Sequence, residues 1–274
     1  MTKDYVIGIV SDLHTGSRYS LFPEGVITEE GNPLSLNDGQ KQILEYWEDF
    51  MGKVKERRID ALFILGDCTQ GKNHKEFGIG LMTSDLDTQK RAVVRLLEPL
   101  KKDIREGRTK LAMVSGSGYH EAGDTRVHKD IADMIMGEED SPAFYGLLAN
   151  LRIRDKIVNI QHGVSASYST RAAVMDRESS FAREAEAEGR IPHIDAFVKG
   201  HWHRFQSVQT KDMLMLQVPG WAAWIPWKGA LGGTYPKIYP EIGGVFLTIT
   251  SEGRFIVEEH IYSTPHIADM VKEV

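Results

Sequence analysis

The chain has 274 residues, 41% hydrophobic and 26% charged, a balance expected of a soluble protein with a substantial core. Its formal net charge of −6 argues against a general nucleic-acid coat, because basic contacts to phosphate dominate that kind of affinity. A lone cysteine, Cys68, excludes an intrachain disulfide and fits a reducing compartment, so a cytoplasmic location is expected.

The opening residues lack the layout of a secretory leader. Their apolar run at 5–10 is too short to span a bilayer and reads as a buried strand. No later segment is long and apolar enough to cross a membrane, so no membrane partner is expected.

That first strand turns at Ser11-Asp12-Leu13-His14. Residues 15–39 are rich in Gly, Ser, Pro and Asn and read as a long loop, either a lid or a surface insertion. From 40 to 57, Ile43, Tyr46, Trp47, Phe50, Met51 and Val54 recur at helical spacing. A strand at 61–65 ends in Gly66-Asp67, and one amphipathic helix is expected over 85–105. A strand at 111–114 runs into Ser115-Gly116, followed by a helix over 125–136. The strand at 157–161 ends at His162-Gly163, and 169–188 reads as helix. The strand at 194–198 ends at Gly200-His201-Trp202-His203, and strands at 244–250 and 254–261 follow. Neither a repeat nor a linker is visible, so one domain over 1–274 with an insertion at 15–39 is expected. Alternating strands and helices predict an α/β fold with early parallel pairing. The strand-rich last third predicts a second, partly antiparallel sheet.

Five apolar strands thus end in polar clusters, and loops at the carboxyl ends of strands can converge on one sheet edge. Taken singly, D-x-H, a Gly-Asp turn and a buried His are ordinary features. Their joint occurrence at successive strand ends is not. Asp and His together suit borderline transition metals, and the clusters contain no Cys, which argues against a structural zinc site. Two aspartates and four histidines exceed the needs of one ion with an open position and suit a pair of ions. Alternate residues of an extended chain point to opposite faces, so Asp12 and His14, and likewise His201 and His203, can converge only if the backbone bends there.

In this order, Asp12-Leu13-His14, Gly66-Asp67, Gly118-Tyr119-His120-Glu121, His162 and Gly200-His201-Trp202-His203, the sequence resembles the calcineurin-like metallophosphoesterase superfamily. The resemblance spans about residues 5–205 and implies two stacked mixed β-sheets flanked by helices, a four-layer sandwich. It implies a binuclear centre of divalent transition-metal ions, manganese first, with iron, zinc or nickel as alternatives. Asp12, His14, Asp67 and His203 would hold one ion, Asp67, His162 and His201 the other, with Asp67 bridging. His120 would lie near the substrate and protonate the leaving group, or else replace a lost ligand. The family's Asn in the third motif is missing. Aligned from the His, its place falls to Tyr119; aligned from the strand end, it falls to Ser117, a weak hydroxyl ligand and the favoured choice. Glu121 and Asp124 are candidates to orient His120.

The implied activity is hydrolysis of a phosphate ester on a phosphorylated small molecule or a nucleic acid; no protein partner is indicated. Trp221, Trp224 and Trp227 follow the last motif, where packing onto the core is favoured over base stacking. That cluster and the 15–39 loop tilt the expectation towards a phosphodiester or nucleotide. A phosphomonoesterase or protein phosphatase is the alternative, and a non-catalytic interaction module the rival class. The basic runs at 53–58 and 101–110 read as solvated faces.

Overall fold

The computed structural model describes residues 3–74, 77–78, 80–121, 126–163, 171–223 and 240–263. Alternation along β1 (Tyr5–Val10) sets the layering. Ile7 and Ile9 face one apolar core and Val10 faces another, as the two-residue period of a strand requires. The chain continues through α1 (Asp38–Arg57), β2 (Ala61–Ile64), α2 (Leu86–Leu96), α3 (Glu98–Arg105), β3 (Lys110–Met113) and α4 (Val127–Met136). Then follow β4 (Leu148–Ile153), β5 (Lys156–Gln161), α5 (Arg171–Ala187), β6 (Ala196–Lys199), β7 (Gln206–Gln209), β8 (Leu214–Gln217), β9 (Ile242–Ile249) and β10 (Phe255–Tyr262).

The strands form two five-stranded mixed sheets, ordered β10-β9-β1-β2-β3 and β4-β5-β6-β8-β7. β1, β2 and β3 run parallel, as do β5, β6 and β8. Ile7, Phe63 and Leu247 of the first sheet pack face to face with Val158, Val198 and Leu216 of the second. Trp47, Phe50, Val93, Leu100 and Ile131 bring α1 to α4 onto the outer face of the first sheet. Met175 and Ala182 of α5 cover Met213 and Met215 on the second. The result is the helix–sheet–sheet–helix sandwich that the motifs implied.

Four sequence expectations change. The C-terminal third does not build the second sheet alone: β9 pairs antiparallel with β1 and β10 with β9, so both extend the first sheet. Residues 85–105 are two helices that meet at Leu97, with Pro99 in the first turn of α3. Proline has no amide to donate and fits a first turn better than a helix interior. The 15–39 loop is not a surface insertion throughout. Leu21 and Phe22 are fully buried, and the Leu21 amide donates to the Trp221 carbonyl. α1 starts on a capping box between Asn37 and Gln40.

Arg57 is also less solvated than its basic run suggested. It pairs with both Glu258 oxygens and lies 4.3 Å over the Phe246 ring. Trp221 packs, as favoured: it is fully buried, edge-on to Trp47 at 4.8 Å. Trp224 and Trp227 lie outside the described residues. Among the described residues, no helix is long and apolar enough to cross a membrane.

Candidate metal centre

The loops after β1, β2, β3, β5 and β6 meet at one edge of the two sheets. Alternation is overcome by backbone conformation. Asp12 (φ 55°), His14 (φ 46°), Asp67 (φ 44°), His201 (φ 77°) and His203 (φ 50°) all occupy the left-handed region. Each such residue with a Cβ costs on the order of 1–3 kcal/mol, and such residues gather at functional sites. Hydrogen bonds between loops hold them there. Asp12 N–H donates to Gly66 O at 3.1 Å, His14 N–H to Asp67 O at 2.9 Å and His201 N–H to Asp12 Oδ2 at 2.7 Å. Two glycines let the loops approach this closely. A Cβ on Gly200 would lie 1.9 Å from Ser11 Oγ, and one on Gly116 would lie 2.1 Å from Asp67 Oδ1.

One group is enclosed. Asp12, His14 and His203 are buried, and Nε2 of His14 and Nε2 of His203 face each other at 3.1 Å. Asp12 Oδ1 lies 3.6 Å from the first nitrogen and 3.3 Å from the second. Among the described residues, Asp12 Oδ1 and the Nδ1 atoms of both histidines have no hydrogen-bond partner. A second group joins Asp67, His162 and the half-buried His201. His162 Nε2 is 3.0 Å from Asp67 Oδ2 and 3.1 Å from His201 Nδ1. His162 Nδ1 lies 2.7 Å from the Leu65 carbonyl, which can only accept, so the proton sits on Nδ1.

The third motif sits between them. Ser117 N–H donates to Asp67 Oδ1 at 2.7 Å, and its hydroxyl lies 3.1 and 3.2 Å from the two carboxylate oxygens. Tyr119 points elsewhere, its hydroxyl 2.5 Å from Asn73 Oδ1. Of the two alignments, the strand-end one puts its residue against Asp67. His120 Nδ1 lies 3.0 Å from the Gln70 carbonyl, which fixes the proton there and turns Nε2 inward, 4.0 Å from Asp67 Oδ2. His14, Asp67 and His120 form a third group that could hold an ion. Glu121 does not orient His120. It is buried against the Gly116 amide and His128, and the Gln70 carbonyl takes the orienting place. Asp124 lies outside the described residues. Sequence reasoning missed Gln70 and His128. For His128 a signal existed: a histidine inside the apolar stripe of Val127 and Ile131.

Burial opposes ionisation of both carboxyls, but neighbouring histidines outweigh it. His203 and His162 hold Asp12 well below the usual carboxylate range, and His162 and His120 do the same for Asp67. Burial lowers the His162 pKa, yet Asp67 and Asp12 together raise it to about 10. Burial and the charge of His120 lower His14 to about 4. Both carboxylates are therefore ionised at neutral pH, and a bound cation would take over the compensating charge that the protonated His162 supplies.

No protein-family model matches the chain, and no curated protein matches it. Solved structures do. One is an archaeal phosphodiesterase, 13% identical, covering 93% of this chain and 99% of that one at a TM-score of 0.45. Another is Vps29 from Entamoeba histolytica complexed with zinc, 12% identical, covering 93% and 98% at 0.42. A third is a conserved protein of Streptococcus pneumoniae TIGR4 described as a predicted phosphoesterase, 12% identical, covering 96% and 100% at 0.36.

Proposed function

We propose that the chain hydrolyses a phosphate ester at a two-metal centre, with manganese as the first candidate ion. One observation carries the reading: the buried imidazole nitrogens of His14 and His203 face each other at 3.1 Å beside Asp12 Oδ1, which has no hydrogen-bond partner among the described residues. With Asp12 Oδ1 at 3.3 and 3.6 Å from the two ring nitrogens, three ligand atoms of types suited to a borderline divalent ion converge in one buried place. Asp12, His14, Asp67 and His203 would hold one ion, and Asp67, His162 and His201 the other. Asp67 joins His162 and His201 in one candidate group and His14 and His120 in another, so it reaches a ligand proposed for the first ion as well as those of the second. When bound, such a pair supplies Lewis acidity to the phosphoryl group and a nucleophile from water at neutral pH.

The remaining work falls to the chain. The Leu65 carbonyl holds the His162 ring with Nε2 facing Asp67. The Ser117 amide and hydroxyl orient the Asp67 carboxylate. His120, held at Nδ1 by Gln70, presents Nε2 to carry a proton to the leaving oxygen. Beside His201, a small crevice is lined by Trp202 and by Lys199, which is ion-paired with Glu178. The preference for a phosphodiester or nucleotide over a simple monoester rests on the long 15–39 segment that follows His14.

Purified protein should bind manganese and hydrolyse bis(4-nitrophenyl) phosphate faster than 4-nitrophenyl phosphate. Absence of metal binding and of both activities would overturn the reading in favour of an interaction module. Faster monoester turnover would overturn only the substrate preference.

A further inference from the structure

α4 buries a histidine that the proposed chemistry does not use. His128 is fully buried, and its Nε2 accepts the Cys68 amide N–H at 3.1 Å. An accepting ring nitrogen carries no proton, so the ring proton is on Nδ1. Nδ1 lies 2.9 Å from Glu121 Oε1, a close polar contact that falls short of an aligned hydrogen bond. The same Glu121 oxygen accepts the Gly116 amide at 2.7 Å.

Those two amides flank Asp67. The Cys68 N–H belongs to the peptide whose carbonyl is that of Asp67, and this carbonyl accepts the His14 amide. The Gly116 N–H immediately precedes Ser117, whose amide donates to Asp67 Oδ1. One ring on a rigid helix therefore reaches both the backbone of Asp67 and, through Glu121, the loop that holds its carboxylate. Asp67 is strained at φ 44°, so its conformation needs an external hold. A buried ionisable pair is an expensive way to fill this space. Glu121 is 1% exposed and its Oε2 has no partner among the described residues, whereas an apolar pair would carry no such cost.

We propose that His128, acting with Glu121, is a positioning residue for Asp67, setting how tightly the centre holds its ions. The proposal rests on the phosphoesterase reading above. In manganese titrations of bis(4-nitrophenyl) phosphate hydrolysis, His128→Leu should raise the half-saturating manganese concentration by about 10–100-fold. Its kcat at saturating manganese should stay near the wild-type value. His128→Gln, whose amide oxygen can accept the Cys68 N–H, should recover part of the lost affinity. A purely structural role would lower the unfolding temperature and leave half-saturation unchanged in the folded fraction.

Wild-type half-saturation in folded His128→Leu would overturn the inference alone. Wild-type protein that neither binds manganese nor turns over the diester would overturn both it and the phosphoesterase reading. Should the variants not fold, imidazole nitrogen NMR of the wild-type protein decides. A proton on His128 Nδ1 with a bare Nε2 supports the inference, and a proton on Nε2 removes its central contact.

Discussion

The two halves of the site are built on different terms. Around Asp12, His14 and His203 the side chains are enclosed, and the outward ring nitrogens find no hydrogen-bond partner among the described residues. Around Asp67, His162 and His201 the outer bonds are made: Leu65 holds His162, Ser117 holds Asp67, and His201 is half open at the crevice. Outer partners tune the affinity of a metal ligand, and enclosure slows its exchange. The first half should keep its ion by burial, the second by hydrogen-bonded orientation. In the proposed assignment Asp67 bridges the two ions, so Asp67→Asn should break both halves at once. Activity should fall to the uncatalysed background with every metal tried. Retained turnover with any one ion, measured on metal-reconstituted protein, would separate the halves and remove the bridge.

The difference in access gives the next test. His14→Ala and His201→Ala should both lose most diester hydrolysis. Added imidazole should restore His201→Ala, whose ring is only half-buried, and leave His14→Ala inactive, because that side chain is 1% exposed. Equal rescue of the two would abolish the contrast. His120→Ala sharpens it from between the halves. With Nδ1 on the Gln70 carbonyl and Nε2 directed inward, its loss should lower kcat by about 100-fold or more while bound manganese stays at wild-type stoichiometry. Substantial metal loss on elemental analysis would make His120 a ligand in the group it forms with His14 and Asp67.

The parts of this comparison legible in the sequence are those that local pattern carries. Each candidate ligand follows an apolar strand, and strand ends converge by topology whatever the detailed packing. The bend needed to bring Asp12 and His14 together could be demanded from the two-residue period, and the left-handed φ values supply it. Long-range pairing was not legible. The apolar run of β9 is equally compatible with either sheet, and only the space beside β1 decides between them. Leu97 read as a continuing helix because its apolar spacing fits, although Pro99 was the available warning. Outer partners such as Gln70 and Leu65 act through backbone carbonyls, which are the same in every residue and leave no mark on the sequence.

The smallest expected effect decides where the missing Asn is replaced. Ser117→Ala removes the hydroxyl beside both Asp67 oxygens but keeps the backbone N–H at 2.7 Å. Half of the local orientation survives, so manganese half-saturation should rise by about tenfold, the lower end for an outer-shell loss, with the fold intact. Tyr119→Phe removes a hydroxyl bonded to Asn73 rather than to Asp67, and should move half-saturation less. The ratio between the two variants is the informative quantity, because both change the same loop by one oxygen. A larger effect from Tyr119→Phe would transfer the Asn position to Tyr119. The orientation that distinguishes the open half would then come from the inserted loop rather than from the end of β3.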